Sequence, residues 1–418
     1  MNAVAPPRRR WSVFALGADL AFWHFAMALA SQQTLIPAFA ERLGASNTVI
    51  GLIPALLTVG WMLPAVFAAH HTEQLARKLP FIMRWTILER VSFPALAVAA
   101  WLLAISAPGI TLALLLLLMI LMTVVGGWLM PAWLDLLARA VSTPIRGRFF
   151  AVANGTGSLL GLGGAAAVTY LLDSFGFPNG YALCFAAATA AVVVSYAFLA
   201  TVREVPGPPT TPRGNLIAYL RRLPSIVMEN RNLARFLIAR VISVVGALAT
   251  GFFMVYALKE LRMPDSAVGI FTTVSLFAQT AGAFLCGWLA DRRGHVATLA
   301  LGALFSSLAA AVAIGASDLA SMAVVFIFMG LHVAATQVSA MPVGLELGPE
   351  DERPTYVAIN NSSVAPFALV SPLVGGAIAD TWGFVPLFIL GAVISLGAAL
   401  TYVLFVRDPR SLAARRAT

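Results

Sequence analysis

Charge is what this sequence has least of. Asp, Glu, Lys and Arg make up 11% of its 418 residues, against roughly 25% in soluble domains. Lysine is nearly absent: Lys78 and Lys259 are the two in the chain. Neither stands in a G-x-x-x-x-G-K-[ST] loop, and no H-E-x-x-H pair occurs, so neither a phosphate cradle nor a zinc-helix signature is present. With no soluble domain for nucleotide hydrolysis, the sequence argues against a one-chain ATP-driven pump. No catalytic or metal-ligating cluster is visible, so an enzyme is not expected and no cofactor is implied. Cysteine is scarce too. Cys184 and Cys286 both fall inside apolar runs, which implies no disulfide framework.

What fills the chain instead is apolar sequence, 60% of the residues. From Val91 to Leu134 there is no charge, and the run breaks only at Ser106-Ala107-Pro108-Gly109. A bilayer crossing needs about 20 apolar residues, so that stretch reads as two helices and a tight turn. The same reading along the chain predicts twelve spans: 13–40, 48–69, 80–105, 110–138, 148–172, 180–202, 233–260, 266–290, 296–316, 320–346, 355–379 and 384–406. Arg8-Arg9-Arg10 ahead of the first run resembles a signal peptide's start, but the run continues as a full span and reads as a retained first helix.

The net charge of +9 raises the question of nucleic acid, and its placement answers it. With the N-terminus set inside and the spans alternating, all 27 Lys and Arg fall on inner flanks or inner helix ends except Arg42, Lys259 and Arg262. That is the positive-inside bias. The basic patches Arg8-Arg9-Arg10, Arg221-Arg222 and Arg292-Arg293 are read as topology signals, with anionic lipid contact as the other reading. An integral protein of a bacterial inner membrane follows, with both termini cytoplasmic, the lipid bilayer as partner, no nucleic acid, and a monomeric state.

The longest polar connection is Arg203 to Asn232, opening with Pro206-Gly207-Pro208-Pro209 and continuing through Leu216, Ile217, Tyr219, Leu220 and Leu223. It reads as an inner linker with one interfacial amphipathic helix. It divides the chain into an N-terminal six-helix bundle (1–203), a cytoplasmic linker (204–232) and a C-terminal six-helix bundle (233–418). The halves repeat. Glu41-Arg42-Leu43 to Gly51 aligns with Lys259-Glu260-Leu261 to Gly269 at an offset of 218. At an offset of 207, Arg146 to Asn154 aligns with Arg353 to Asn361, and Phe175-Gly176-Phe177 with Trp382-Gly383-Phe384. Parallel six-helix repeats are a transporter architecture.

At the end of the eighth span stands Gly287-Trp288-Leu289-Ala290-Asp291-Arg292-Arg293-Gly294-His295. This resembles the G-x-L-A-D-R-x-G-R loop signature of the major facilitator superfamily, differing at the last position. The resemblance implies that fold: an all-α membrane protein of twelve transmembrane helices in two pseudo-symmetric six-helix bundles. Gly287 is expected to let helices pack closely and Gly294 to permit the tight reversal. The resemblance implies that Asp291 faces a helix N-terminus, the start of the fifth helix near Arg146 and Arg148, as an inner latch. The first half carries Ala69, Glu73, Gln74, Ala76 and Arg77 at the matching positions. The carboxylate survives as Glu73, expected near Arg353, while the glycines are lost. The family's drug/proton antiporters carry an Arg within helix 4 and a G-x-x-x-G-P-x-x-G-G stretch in helix 5. Here helix 4 lacks that Arg, and helix 5 reads Gly157-Ser158-Leu159-Leu160-Gly161-Leu162-Gly163-Gly164.

Polar residues at membrane depth usually face a cavity or a partner. Asp19, Trp23 and Gln33 fall on one stripe of the first span, which reads as a cavity-lining face with a titratable Asp, or as an interfacial Asp paired with an Arg. Glu89-Arg90 in the third span reads as a buried ion network. Asp135 and Arg139 form an i, i+4 pair at an inner end, a gate or a solvated pair. Arg240 in the seventh span grips an anion or neutralises Asp19. Gln279, Thr336, Trp128 and the repeat-related Asn154 and Asn361 complete the expected substrate cavity. His332 is placed there too, as a proton shuttle or a hydrogen-bonded neutral ring. Asp19, Glu89 and His332 are the proton-coupling candidates. The expected inner gate comprises Glu73, Arg77, Asp135, Arg139, Arg148, Gly287, Asp291, Arg292, Gly294 and Arg353. The leading expectation is a proton-coupled secondary transporter exporting a small amphipathic or hydrophobic molecule. Its rivals are an importer of a small anionic metabolite and a non-transporting membrane scaffold.

Overall fold

The computed structural model describes residues 7–73, 75–141, 143–204, 225–347 and 353–408. Among them every regular element is a helix, and twelve helical spans are long and apolar enough to cross a membrane. The amphipathic linker helix expected after Pro206 lies outside the described residues. In chain order the elements are α1 (Pro7–Leu29), α2 (Leu35–Arg42), α3 (Asn47–Glu73), α4 (Leu79–Arg90), α5 (Ser92–Leu103), α6 (Pro108–Ala140), α7 (Thr143–Phe175) and α8 (Asn179–Ala200). They continue as α9 (Arg231–Gly246), a 3-10 turn (Ala247–Phe252), α10 (Phe253–Lys259), α11 (Ala267–Arg293), α12 (His295–Gly315), α13 (Leu319–Glu346), α14 (Arg353–Trp382) and α15 (Phe384–Phe405).

Three expected spans are broken helices, and proline explains two. The first span stops at Leu29 and resumes at Leu35. A helix running through would ask Pro37 to donate to the Gln33 carbonyl, which it cannot do. So Asp19 and Gln33 do not share a helical stripe: Gln33 lies exposed in the break. The third span breaks at Val91 between α4 and α5, because Pro94 leaves the Arg90 carbonyl without its intrahelical donor. The 3-10 turn interrupts the seventh span, and the offset of 218 carries Thr34 onto Phe252, so the first and seventh spans break at matching places.

Two compact units form. One comprises Met1–Ala45, Leu56–Arg213 and Pro264–Thr273, the other Ser46–Ala55, Gly214–Met263 and Val274–Thr418. In the first, α1 packs on α7 and α8, and α5 on α6 and α8. In the second, α9 packs on α14 and α15, and α12 on α13 and α15. These pairings correspond under the repeat. The first core gathers Leu16, Ile82, Ala132, Leu136, Phe149 and Leu199. The second gathers Leu233, Phe236, Leu299, Ile359 and Tyr402. Each unit also takes a short segment of the other half. Residues 264–273 join the first unit through the Arg42–Asp265 bridge of 2.7 Å and the Thr34–Thr272 hydroxyl pair at 2.5 Å. Residues 46–55 join the second through Asp380. Its carboxylate accepts from the Asn47 amide at 2.9 Å, the Thr48 amide at 2.8 Å and the Thr48 hydroxyl at 2.7 Å.

Gly294 has φ +90°, a region reserved to glycine, and begins α12 with the Asp408 carboxylate against it. The tight reversal expected there is present. Gly287 differs from expectation: a Cβ added to it would meet nothing within 4 Å. Its glycine is therefore not demanded by close packing within this arrangement. Asp318 caps α13 by accepting from the Ser321 amide at 2.8 Å, and that bond holds its carboxyl below the usual range.

Candidate functional site

The first unit holds a half-open cavity of about 120 Å³ between α1, α3, α4, α6 and α8. Its walls are mostly apolar and aromatic, with Leu20, Trp23, Trp61, Ile82, Leu129, Met130, Trp133 and Leu199. Three charged groups interrupt them: Asp19, Glu89 and Arg90. The break at Val91 puts Glu89 and Arg90 at the end of α4, beside α1. Glycines make the space. A Cβ on Gly126 would come within 2.5 Å of the Trp61 ring and 2.7 Å of Glu89 Oε1, and one on Gly127 within 2.5 Å of the Gly60 carbonyl.

Asp19 is fully engaged. Its Oδ1 accepts from Arg90 Nη2 at 3.2 Å and from Ser195 Oγ at 2.6 Å, and its Oδ2 accepts from Trp133 Nε1 at 3.2 Å. Arg90 is spent as well. Nε donates to the Val192 carbonyl at 3.3 Å, Nη1 to the Thr86 hydroxyl, and Nη2 also to Ser195 at 2.8 Å. Its guanidinium lies 5.4 Å from the Trp23 ring centroid and 5.8 Å from that of Tyr196. Glu89 accepts one bond, from Thr86 Oγ1 to Oε2 at 3.0 Å, and that oxygen stands 3.6 Å from Arg90 Nη1. Asp19 thus finds its cation in Arg90 and not in Arg240.

The other expected cavity residues scatter. Trp128 stacks on His71 with ring centroids 5.9 Å apart, away from the cavity lining. Asn154 is exposed and hydrogen-bonds His24. In the second unit Arg240 is half-buried near Tyr402, and both its Nε and the Tyr402 hydroxyl are buried without a hydrogen-bond partner. The His332 ring Nδ1 donates to the Gly302 carbonyl at 2.9 Å. Gln279 and Thr336 are half-buried, and Asn361 is exposed. The neighbouring Asn360 is buried.

At one end of the first unit, Asp135 takes both Arg139 Nε at 3.2 Å and Nη2 at 2.7 Å, with Lys78 Nζ at 3.4 Å. Arg139 also donates to the Ala76 carbonyl at 3.1 Å. Arg77 is exposed. Asp291 is exposed, and Arg292 lies over the Trp288 ring at 4.5 Å. The side chains of Glu73, Arg148 and Arg353 lie outside the described residues.

Sequence reasoning missed Ser195, Thr86 and Glu204. Thr86 was findable, since Thr86, Glu89 and Arg90 share a helix face at i, i+3 and i+4. Ser195 carries no local signal. Glu204 accepts from the Lys78 and Leu79 amides at 2.6 and 2.9 Å, an acid 125 residues downstream starting α4.

The sequence profile of the Major Facilitator Superfamily matches residues 236–418. No curated protein sequence matches the chain. Solved structures do. A mutant of the nucleoside transporter NupG superposes with a TM-score of 0.72 at 13% identity, covering 95% of this chain and 100% of that one. A POT family transporter in complex with 5-aminolevulinic acid gives 0.72 at 10% identity, covering 94% and 95%. A D-xylose–proton symporter gives 0.67 at 15% identity, covering 96% and 98%. At such identities the likeness establishes the fold.

Proposed function

Residues 236–418 match the Major Facilitator Superfamily profile, and from that premise we propose that the chain is a monomeric secondary transporter of that superfamily, exporting a small amphipathic molecule in exchange for protons. The observation that carries this reading is the cavity of the first unit, where aromatic and aliphatic walls surround two buried carboxylates. Apolar walls suit an amphipathic cargo better than a sugar, whose hydroxyls each need a polar partner. A carboxylate at membrane depth is costly unless paired or protonated, which makes it a natural proton carrier. Of the two, Asp19 is held by three donors, so the proton is assigned to Glu89. Arg90 and Ser195 then act as positioning residues for Asp19, and the cluster of Asp135, Arg139 and Lys78 as an inner-end gate element. The charge placement in the sequence supports a cytoplasmic-membrane location with both termini inside.

The test uses everted membrane vesicles containing the full chain, with the lumen acidified. A panel of small amphipathic compounds is offered outside. Protonophore-sensitive uptake that depends on Glu89 is expected. Uptake confined to right-side-out vesicles would reverse the direction, and no movement of any compound by folded protein would overturn the reading.

A further inference from the structure

The transport reading leaves the chemistry of the cargo open, and the charge balance of the cavity bears on it. Two carboxylates face one guanidinium. Asp19 and Arg90 close on each other, and their remaining polar atoms are taken by Ser195, Trp133, Thr86 and the Val192 carbonyl. That pair is neutral and complete. Glu89 is left over. Only 6% of it is exposed, it accepts a single bond from Thr86 on Oε2, and among the described residues no hydrogen bond reaches Oε1. Oε1 lies over bare Gly126 and beside the Trp61 ring, on the cavity wall. A leftover buried carboxylate needs one positive charge, supplied by a proton or by a ligand.

We propose that the cargo is a small organic cation, an amine or quaternary ammonium ion with an apolar body, which binds at Glu89 in exchange for its proton. The exchange balances: the Glu89 carboxyl releases one proton to solvent and its carboxylate pairs with the incoming cation, so the cavity's charge is the same before and after. Trp61 and Trp133 line the cavity beside Trp23, which already carries the Arg90 guanidinium, and aromatic rings attract a desolvated cation. An anion would meet the spare carboxylate in an apolar cavity. A neutral molecule would have no reason to displace the proton. The charged and titratable groups around Glu89 are Asp19 of α1, Arg90 of its own helix and Tyr196 of α8. Toward the cavity α3 presents Trp61, and α6 presents Gly126, Leu129, Met130 and Trp133.

This proposal rests on the transport reading, and its test separates the two. The purified full chain in detergent is titrated calorimetrically with benzyltrimethylammonium, and with phenylmethanesulfonate as the anionic match, in weak buffer with a pH indicator. The wild type is expected to bind the ammonium ion and release close to one proton per cation. Its affinity should weaken by up to about tenfold per unit as pH falls through the site's titration. The sulfonate should not bind. Glu89→Gln should lose at least about thirtyfold in affinity, the lower end for truncating one partner of a buried charge pair, and release no proton. Undiminished binding by a folded Glu89→Gln, binding of the sulfonate, pH-independent affinity, or no binding of the ammonium ion would each overturn it. If Glu89→Gln does not fold, proton release and pH dependence in the wild type decide alone. Vesicles that still move a neutral or anionic compound would leave the transport reading standing without this cargo. Proton-linked binding in a protein that transports nothing would remove the transport reading and keep the site.

Discussion

The two buried carboxylates of the first unit differ in what surrounds them, and the difference underlies the opposite roles proposed for them. On that proposal Asp19 is a structural charge. Replacing it with Asn removes the nearer anion that Arg90 faces and leaves the guanidinium with only Glu89 at 3.6 Å, a change that costs up to about 3–5 kcal/mol. Glu89→Gln keeps an acceptor for the Thr86 hydroxyl and removes the carboxylate farther from Arg90, whose guanidinium keeps Asp19, so it should change stability by less than about 1 kcal/mol. Thermal melting in detergent checks both. Asp19→Asn is expected to melt well below the wild type, and Asp19→Asn combined with Arg90→Gln to recover part of the loss. Glu89→Gln is expected to melt with the wild type. If both single variants fall equally, the division between a structural and an exchangeable carboxylate fails. The cost of charge at membrane depth made Asp19, Glu89 and Arg90 stand out in the sequence. Which carboxylate the arginine takes was not legible there. That depends on Ser195 and Trp133, brought from 176 and 114 residues away, and no local pattern records such distances.

Two spans of this chain break where proline forbids the next hydrogen bond, although Pro131, Pro342, Pro366 and Pro372 stand inside continuous helices, and two helices start where an acid from elsewhere caps them. The breaks were legible in principle, since Pro37 and Pro94 stand in the sequence. A hydropathy reading averages over them and returns one long span for two helices. The caps were not legible, because Glu204 and Asp380 act on helix starts 125 and 332 residues away. The Asp380 cap also shows how the repeat has diverged. At the offset of 207 its counterpart is Asp173, and at the offset of 218 the counterpart of Asn47 is Asp265. The donors to Asp380 include the backbone amides of Asn47 and Thr48, and at the matching place a carboxylate at Asp173 would approach the Asp265 carboxylate as well as such amides. Asp265 instead bridges Arg42, and Asp173 is exposed. Asp380→Ala should therefore cost about 1 kcal/mol, the usual value of a lost N-cap, with Asp380→Asn milder. Asp173→Ala should stay within about 0.5 kcal/mol, as surface changes do. Melting midpoints of the three variants in one detergent check the asymmetry. Equal losses at both sites would mean that the two helix starts are still capped alike.

At the scale of the whole molecule, the apolar surface marks the chain as a bilayer protein, and the basic residues support one orientation in it. Large hydrophobic side chains are exposed along many spans, among them Trp101, Ile105, Leu117, Val193, Phe284, Val403 and Leu404. A water-facing surface would not carry them in such number, and a lipid-facing one requires them. The placement of the arginines is the ground for the proposed orientation. With the N-terminus inside, Ser106 between α5 and α6 and Ser317 between α12 and α13 face outward, and Ala76 between α3 and α4 faces inward. All three are exposed, and both native cysteines, Cys184 and Cys286, are buried, so background labelling should be low. Ser106→Cys and Ser317→Cys in intact cells or spheroplasts should react with a membrane-impermeant maleimide. Ala76→Cys should react only after the membrane is opened. The reverse pattern would invert the topology and with it the side on which the Asp135–Arg139 cluster lies. Labelling of all three from outside would break the alternation itself, and with it the count of twelve crossings on which the placement of every charge depends.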